Sequence, residues 1–217
     1  MTRIPIHTID DAPEASRPML EHFAQQSRRV GRLLNLHAEM AHAPVVIAAY
    51  HGMRRAFDEH ATLDPRTRTA IMLTASAVQG SAYTNAIHTM LAHASGWSDG
   101  EVAAIRAGAF AGDERLAALL AVARSAAGDS GRVSDVRWQS AIDAGWSPAQ
   151  LLEAYGSIGL SLFTGGFANF ANTPLDVPAT WPADPWAPGT PRATATPFPG
   201  ASAAAPSSPA SSEARRS

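Results

Sequence analysis

Residues 79–88 read QGSAYTNAIH, and the spacing of the polar residues Ser81, Thr84 and His88 within them indicates how this region folds. On a helix turning 100° per residue, Ser81, Thr84 and His88 fall within an arc of about 60°. Thr84 and His88 are four residues apart and can touch, whereas Ser81 lies about 10 Å from His88 along the axis. The spacing predicts a polar stripe that borders a more apolar face carrying Tyr83.

Helix-start and helix-stop signals surround this stripe. The preceding stretch, LDPRTRTAIMLTASAVQG, offers Asp64 as N-cap, Pro65 as the first helical residue and Gly80 as the stop. The striped helix then runs from about 81 to 95, and Gly96 follows it. Alanine is abundant and alternating β-branched runs are missing, so residues 1 to about 177 are predicted to be all-α.

Three further helices follow from the same signals. A first helix is expected over Glu14 to Val30, and Pro44 opens another as its first residue. The last, from about Pro148 to Asn172, contains GSIGLSLFTGGFANFAN. Four glycines each cost about 1 kcal/mol against alanine there. They predict close helix packing, a kink near Gly165, or a gap that holds a ligand.

The tripeptide Gly-Trp-Ser occurs twice, forty-nine residues apart. In both copies glycine ends one helix and serine begins the next, with Ser98 followed by Glu101 and Ser147 followed by Gln150. Both pairs are capping boxes. The repetition fits either a duplicated two-helix unit or convergence of two helix turns.

Composition excludes several functions. The 217 residues contain no cysteine, which rules out disulfides and thiolate chemistry. The net charge of −2 and the absence of a basic block argue against nucleic acid. No apolar run is long enough to span a membrane and no signal peptide is evident, so a cytoplasmic protein is expected. The histidines form no metal signature, and no cofactor is expected.

The chain divides into three predicted parts. Residues 1–40 form an N-terminal helical segment, and residues 41–177 form the main domain. Residues 178–217 hold nine of the sixteen prolines with many Ala and Ser residues, so they are expected to be a disordered tail.

The motif frame resembles the AhpD-like, or carboxymuconolactone decarboxylase, family. Peroxidase members of that family carry a glutamate, then Cys-x-x-Cys-x-x-x-His, with the glutamate twelve residues before the first cysteine. On this frame, Ser81 and Thr84 stand at the cysteine positions and Thr69 at the glutamate position, whereas His88 matches the family histidine. The resemblance covers about residues 41–178 and implies an AhpD-like helical bundle and a homo-oligomer, commonly a trimer or hexamer.

The resemblance carries an activity that these residues cannot support. A hydroxyl neither attacks peroxide as a thiolate does nor resolves the product as a disulfide, and Thr69 is no base. We therefore expect no thiol peroxidase activity. The decarboxylase branch of the family is cysteine-free and implies acid–base chemistry at His88 on a small carboxylated substrate.

Each candidate site residue also has a structural interpretation. Arg66 and Arg68 are candidates to hold a carboxylate, or they are solvated charges at a helix start. Tyr83 either lines the pocket or packs within the protein interior. Ser81 and Thr84 are catalytic or fill small volumes at a helix seam, and His88 acts on a substrate or is a hydrogen-bonded structural histidine. A non-enzymatic oligomeric scaffold or binding module is the alternative function, and a residual cysteine-free peroxidase is a third.

Overall fold

The computed structural model describes residues 1–26 and 33–177. Within them, a 3₁₀ turn at Glu14–Ser16 is followed by nine α-helices and no strand. The helices are α1 (Arg17–Gln26), α2 (Asn35–Met40), α3 (Pro44–His60), α4 (Pro65–Gln79), α5 (Ala82–Ala94), α6 (Asp99–Ala107), α7 (Glu114–Gly128), α8 (Asp135–Asp143) and α9 (Pro148–Ala171). The all-α prediction is therefore confirmed.

Apart from the start of the first helix, the predicted helix ends agree with the structure to within a residue or two where they are described. That helix was predicted from Glu14, but Glu14–Ser16 form a 3₁₀ turn and α1 begins at Arg17. Asp64 accepts a hydrogen bond from the Thr67 amide at the start of α4, and Gly80 ends that helix with φ of 70°. Both predicted capping boxes are present, at the starts of α6 and α9. The first helix ends at Gln26 among the described residues; Val30 and the predicted tail lie outside them.

Helix α4 lies at the centre of the fold and contacts α5, α6, α7 and α9. One buried apolar cluster joins α4 to α6, α7, α8 and α9. A second cluster gathers side chains of the N-terminal segment, α2, α3, α5 and α9. The N-terminal segment thus contributes to the same packed core as α5 and α9, and the domain boundary at residue 40 remains a prediction.

The repeated Gly-Trp-Ser segments make equivalent tertiary contacts. The indole Nε1 of Trp97 donates to the Arg66 carbonyl oxygen at 3.1 Å, and that of Trp146 donates to the Arg115 carbonyl oxygen at 2.7 Å. In each case the arginine side chain also lies over the indole ring. Both pairs are thirty-one residues apart. Each contact closes a pair of helices, α4 with α5 in the first copy and α7 with α8 in the second, which favours duplication over convergence of two turns.

The glycines of α9 serve different purposes. A Cβ at Gly165 would lie 1.9 Å from Gln79 Oε1, and one at Gly156 would lie 3.0 Å from the Phe57 ring. A Cβ at Gly159 would have no atom within 4 Å. The helix continues unbroken through Gly165. Close approach to α3 and α4 is therefore the role at two of these positions.

No helix among the described residues has both the length and the apolar character needed to cross a membrane.

Candidate functional site

The polar stripe of α5 faces the interior. Ser81, Thr84 and His88 are 0%, 1% and 5% exposed, while Ile87 on the more apolar face is only partly buried. The sequence placed the stripe at the border of the packed side, but the structure places it within the packing. The reason is that α5 lies against both α4 and α9, where Gly165 lets the helices approach closely.

The hydroxyls at the two family cysteine positions make local contacts. Ser81 is the N-cap of α5, and its Oγ accepts a hydrogen bond from the Thr84 amide at 3.4 Å. Thr84 Oγ1 has a long contact of 3.5 Å with the Ser81 carbonyl oxygen and faces Gly165. Both side chains thus contribute to helix capping and seam packing. Their catalytic role remains a prediction.

Thr69 lies at the other end of the α4–α5 seam. Its Oγ1 donates to the Pro65 carbonyl oxygen at 2.7 Å and contacts Ser95 Oγ at 3.2 Å. Ser81 is at the opposite end of α5, beyond the layer where Ser76 bonds to Asn85. The two helices run antiparallel, so Thr69 and Ser81 are not brought together.

His88 is buried against the middle of α4. Its ring bonds to the Met72 backbone, and its Nδ1 is buried with no hydrogen-bond partner among the described residues. Burial lowers the pKa of His88 to about 4, and the positive charge of Arg54 acts in the same direction, whereas the Met72 contact raises it. The imidazole is therefore neutral at pH 7.

A small cavity of about 140 Å³ lies among α3, α4, α5 and α9. Its polar wall is formed by Arg54, Asp58, Arg68, Thr69 and Ser157. Apolar side chains complete it: Phe57, Pro65, Met72, Leu91 and Leu160. The family glutamate position, Thr69, thus lines a cavity that also holds two guanidinium groups.

The two arginines of this cavity differ in their contacts. Arg54 Nη1 donates to the Tyr50 hydroxyl at 3.4 Å, and the proximity of Tyr50 raises the pKa of Arg54. Arg68 Nε is buried and has no hydrogen-bond partner among the described residues. An unmet charged donor at a cavity wall is costly, which favours a bound acceptor there.

Arg66 and Arg68 lie in different places, although the sequence named them together. Arg66 lies over Trp97, pairs with Glu101 at 3.1 Å, and lines another cavity of about 480 Å³. Residues two apart on a helix point about 200° away from one another. Only Arg68 therefore reaches the cavity next to α5.

Tyr83 is buried, and its hydroxyl donates to Asp176 Oδ1 at 2.7 Å. Burial and this contact raise its pKa. The hydroxyl thus joins α5 to the segment after α9, which matches the packing interpretation; a binding role for Tyr83 remains a prediction.

Sequence reasoning missed Arg54 and its neighbour His37. His37 is buried, its ring stacks on Phe23 with centroids 4.2 Å apart, and burial lowers its pKa to about 3. A signal for Arg54 was available, because it falls on the same helical stripe as the buried Ile47 and Tyr50. A charge on an apolar stripe indicates a polar site within the core.

Among the described residues, no group of three or more His, Asp or Glu side chains is arranged to hold a metal ion.

The helical order and the antiparallel α4–α5 pair define an all-helical, AhpD-like fold. Residues 44–125 match the model of the carboxymuconolactone decarboxylase family. That match includes Thr69, Ser81, Thr84 and His88. Over residues 44–125 the chain is therefore similar to the carboxymuconolactone decarboxylase family, and it contains no cysteine.

Solved structures show the same fold. A peroxidase-related protein with an alkylhydroperoxidase AhpD core, from Ralstonia eutropha JMP134, superposes with a TM-score of 0.71 at 16% identity, over 81% of this chain and 92% of that one. A variant of the debrominase Bmp8 in complex with 2,3,4-tribromopyrrole gives 0.69 at 17% identity, over 81% and 92%. A putative antioxidant defence protein AhpD from Agrobacterium tumefaciens gives 0.57 at 17% identity, over 62% and 93%. No protein of curated function matches the sequence.

Proposed function

We propose that this protein binds a small organic acid in the cavity among α3, α4, α5 and α9, and that it has no thiol peroxidase activity. The observation that carries the proposal is the buried, unpartnered Nε of Arg68 beside Arg54 in that cavity. A carboxylate would give the Arg68 Nε its missing acceptor. The charges of Arg54 and Arg68 are already partly balanced by Asp58 and Glu153, so the hydrogen bond to Nε carries the proposal. Bmp8, with a similar fold, holds a small organic ligand, which supports a small-molecule role.

His88 is the candidate for acid–base chemistry, such as decarboxylation or isomerisation. Its neutral imidazole has one nitrogen free of partners, so it can accept a proton. The cavity wall includes Met72 and Arg54, which both act on His88, but the ring is not part of that wall. Proton transfer therefore requires side-chain movement or a linking water.

The binding step is tested by calorimetry with small carboxylates and lactones, the carboxylates first. We expect Arg68→Met to weaken binding of the best ligand by about tenfold or more, because a charged hydrogen bond is lost. Arg66→Met is the matched control, two residues earlier on the opposite face of α4, and should leave the affinity unchanged. Equal affinity in Arg68→Met and the native protein would contradict the proposal.

The chemical step is tested with any substrate that the screen finds. Replacing His88 by Ala should abolish turnover while circular dichroism shows an unchanged helix content. A variant that still turns over at the native rate would exclude His88 from the reaction and leave the binding proposal intact.

A non-enzymatic, oligomeric scaffold is the second candidate function. Large apolar side chains on α9 and beyond it are exposed, with Leu152 and Phe170 each 70% exposed. Such groups are commonly covered when copies of a chain associate. A homo-oligomer, trimeric or hexameric, in the cytoplasm belongs to this proposal, and light scattering of the purified protein measures its subunit number.

A further inference from the structure

Two adjoining cavities lie on the other side of α4, away from His88. The inner one has a volume of about 280 Å³ and is bounded by α4, α6, α7 and α8. The outer one, of about 750 Å³, opens between α7 and α8. Arg124 and Arg137 line both cavities and so stand where the two meet.

Arg124 has no carboxylate partner among the described residues. Its Nη2 donates to the Ile105 and Arg106 carbonyl oxygens at 3.0 and 2.7 Å, in the last turn of α6. Loss of solvent lowers its pKa. The carboxylate that lines the same outer cavity, Asp129, pairs with Arg132 at 3.0 Å. A partly buried guanidinium that makes no ion pair is unfavourable, so an anion bound directly to Arg124 would be stabilised.

Gly108 allows the arginine to take this position. It has φ of 75°, and a Cβ there would lie 2.5 Å from Arg124 Nε. The backbone therefore leaves room for the guanidinium at the meeting point of the cavities. Arg137 adds a second positive charge on the same wall, where its Nη1 donates to Ser125 Oγ and approaches the Ala121 carbonyl oxygen.

The inner cavity offers an apolar wall and one unmet hydroxyl. Ile105, Phe110 and Leu120 line it, together with Thr74. Thr74 is 1% exposed, and its Oγ1 has no hydrogen-bond partner among the described residues. A buried hydroxyl without a partner indicates that a polar group enters the cavity.

We propose that these cavities form a second ligand site, which binds a small carboxylate with a compact apolar body. The carboxylate lies at Arg124 and within the field of Arg137, and the apolar body lies against Ile105, Phe110 and Leu120. The Thr74 hydroxyl meets a polar substituent or a water carried in with the ligand. This site is separate from the Arg54 and Arg68 cavity and does not depend on chemistry at His88.

Benzoate is a suitable probe, because it combines a carboxylate with a compact ring. Binding to the full chain is measured by calorimetry, with benzyl alcohol as the uncharged comparison. We expect Arg124→Met to weaken benzoate binding by about tenfold or more, and benzyl alcohol to bind the native protein at least about tenfold more weakly than benzoate. Gly108→Ala should also weaken benzoate binding, because its Cβ displaces Arg124.

A second measurement on the native protein covers the case in which Arg124→Met does not fold. Nuclear Overhauser contacts from the benzoate ring to the Ile105 and Leu120 methyl groups are expected. Their absence at saturating benzoate would overturn the proposal.

One further variant distinguishes binding at one proposed site from binding at the other. Arg68→Met should leave the nuclear Overhauser contacts from benzoate to Ile105 and Leu120 in place, whereas Arg124→Met should remove them. If Arg68→Met abolishes binding and Arg124→Met does not, benzoate occupies the cavity next to α5. That result would reject the second site and support the first.

Discussion

The Tyr83 hydroxyl donates to Asp176 Oδ1 across 2.7 Å, although the two residues are ninety-three apart in sequence. The other oxygen of the same carboxylate, Oδ2, accepts a hydrogen bond from the backbone N–H of Asn35 at 2.8 Å, at the start of α2. One buried carboxylate thus connects α2, α5 and the segment after α9. A second, Glu39, accepts from Thr2 and Thr173 and joins the N-terminal segment to that same segment.

Removing the Tyr83 hydroxyl should destabilise the fold. In Tyr83→Phe, Asp176 loses a donor while it stays buried, so we expect a loss of about 1–3 kcal/mol in the free energy of unfolding. Urea unfolding measures this loss. Tyr155→Phe is the control, because Tyr155 is 54% exposed, and it should change stability little. Equal effects of the two substitutions would show that the Tyr83–Asp176 bond contributes nothing.

Two glycines of α9 should respond oppositely to alanine. At Gly159 the added methyl group meets no atom, so improved helix propensity should stabilise the protein by up to about 1 kcal/mol. At Gly165 it displaces Gln79, whose Nε2 donates to the Leu162 carbonyl oxygen at 2.9 Å. We expect Gly165→Ala to be less stable than Gly159→Ala by about 1–3 kcal/mol in thermal unfolding. Equal stability of the two variants would contradict the interpretation that Gly165 is needed for the close approach of α9 to α4.

Acid should destabilise the protein through two buried histidines. Burial lowers the pKa of His88 to about 4 and that of His37 to about 3, below the ordinary value of 6.5. The unfolded chain therefore binds more protons, and the stabilisation present above pH 6.5 is lost as the pH falls towards 4. Each histidine should contribute a slope of about 1.4 kcal/mol per pH unit in that window.

The measurement is urea unfolding at several pH values between 6.5 and 4.5. His88→Gln should reduce the slope by about 1.4 kcal/mol per pH unit, because one of the two titrating groups is gone. An unchanged slope would mean that His88 is not buried in its neutral form.

The native protein should not consume organic hydroperoxide with a thiol reductant. Ser81 and Thr84 supply hydroxyls where the thiol members have cysteines, and hydroxyls are not ionised at neutral pH. The matched comparison is the double variant Ser81→Cys with Thr84→Cys, which places two thiols in the same frame. Turnover by the native protein above the reagent blank would refute this prediction.

Much of the fold follows from local sequence signals. The caps at Asp64 and Ser98, and the stop at Gly80, depend on residues within four positions of one another, so each can be recognised without tertiary structure. The spacing of the family motif likewise identifies Thr69 and His88 as candidate site residues without tertiary structure. The sequence placed the polar stripe at the border of the packed side, whereas the structure buries it, because its burial depends on which helices cover α5.

The candidate site was predicted only in part. His88 and Arg68 were named from the sequence, and the structure buries the first and brings the second to a cavity wall. Arg54 was missed, although its place on the apolar stripe of α3 was a usable signal. Arg124 had no local signal, because its significance comes from Gly108 and from carbonyl groups sixteen or more residues away along the chain.

By itself, the sequence determined the helical class, several helices with their caps, the motif frame and the absence of cysteine, since these depend on residue identity and short-range spacing. Only the tertiary structure decided that Arg54 and Arg68 share a cavity while Arg66 faces another, and that His88 lies against Met72. Those relationships arise from the packing of α3, α4, α5 and α9. The side chains that meet there are far apart in sequence, so rules based on the spacing of neighbouring residues do not predict their contacts.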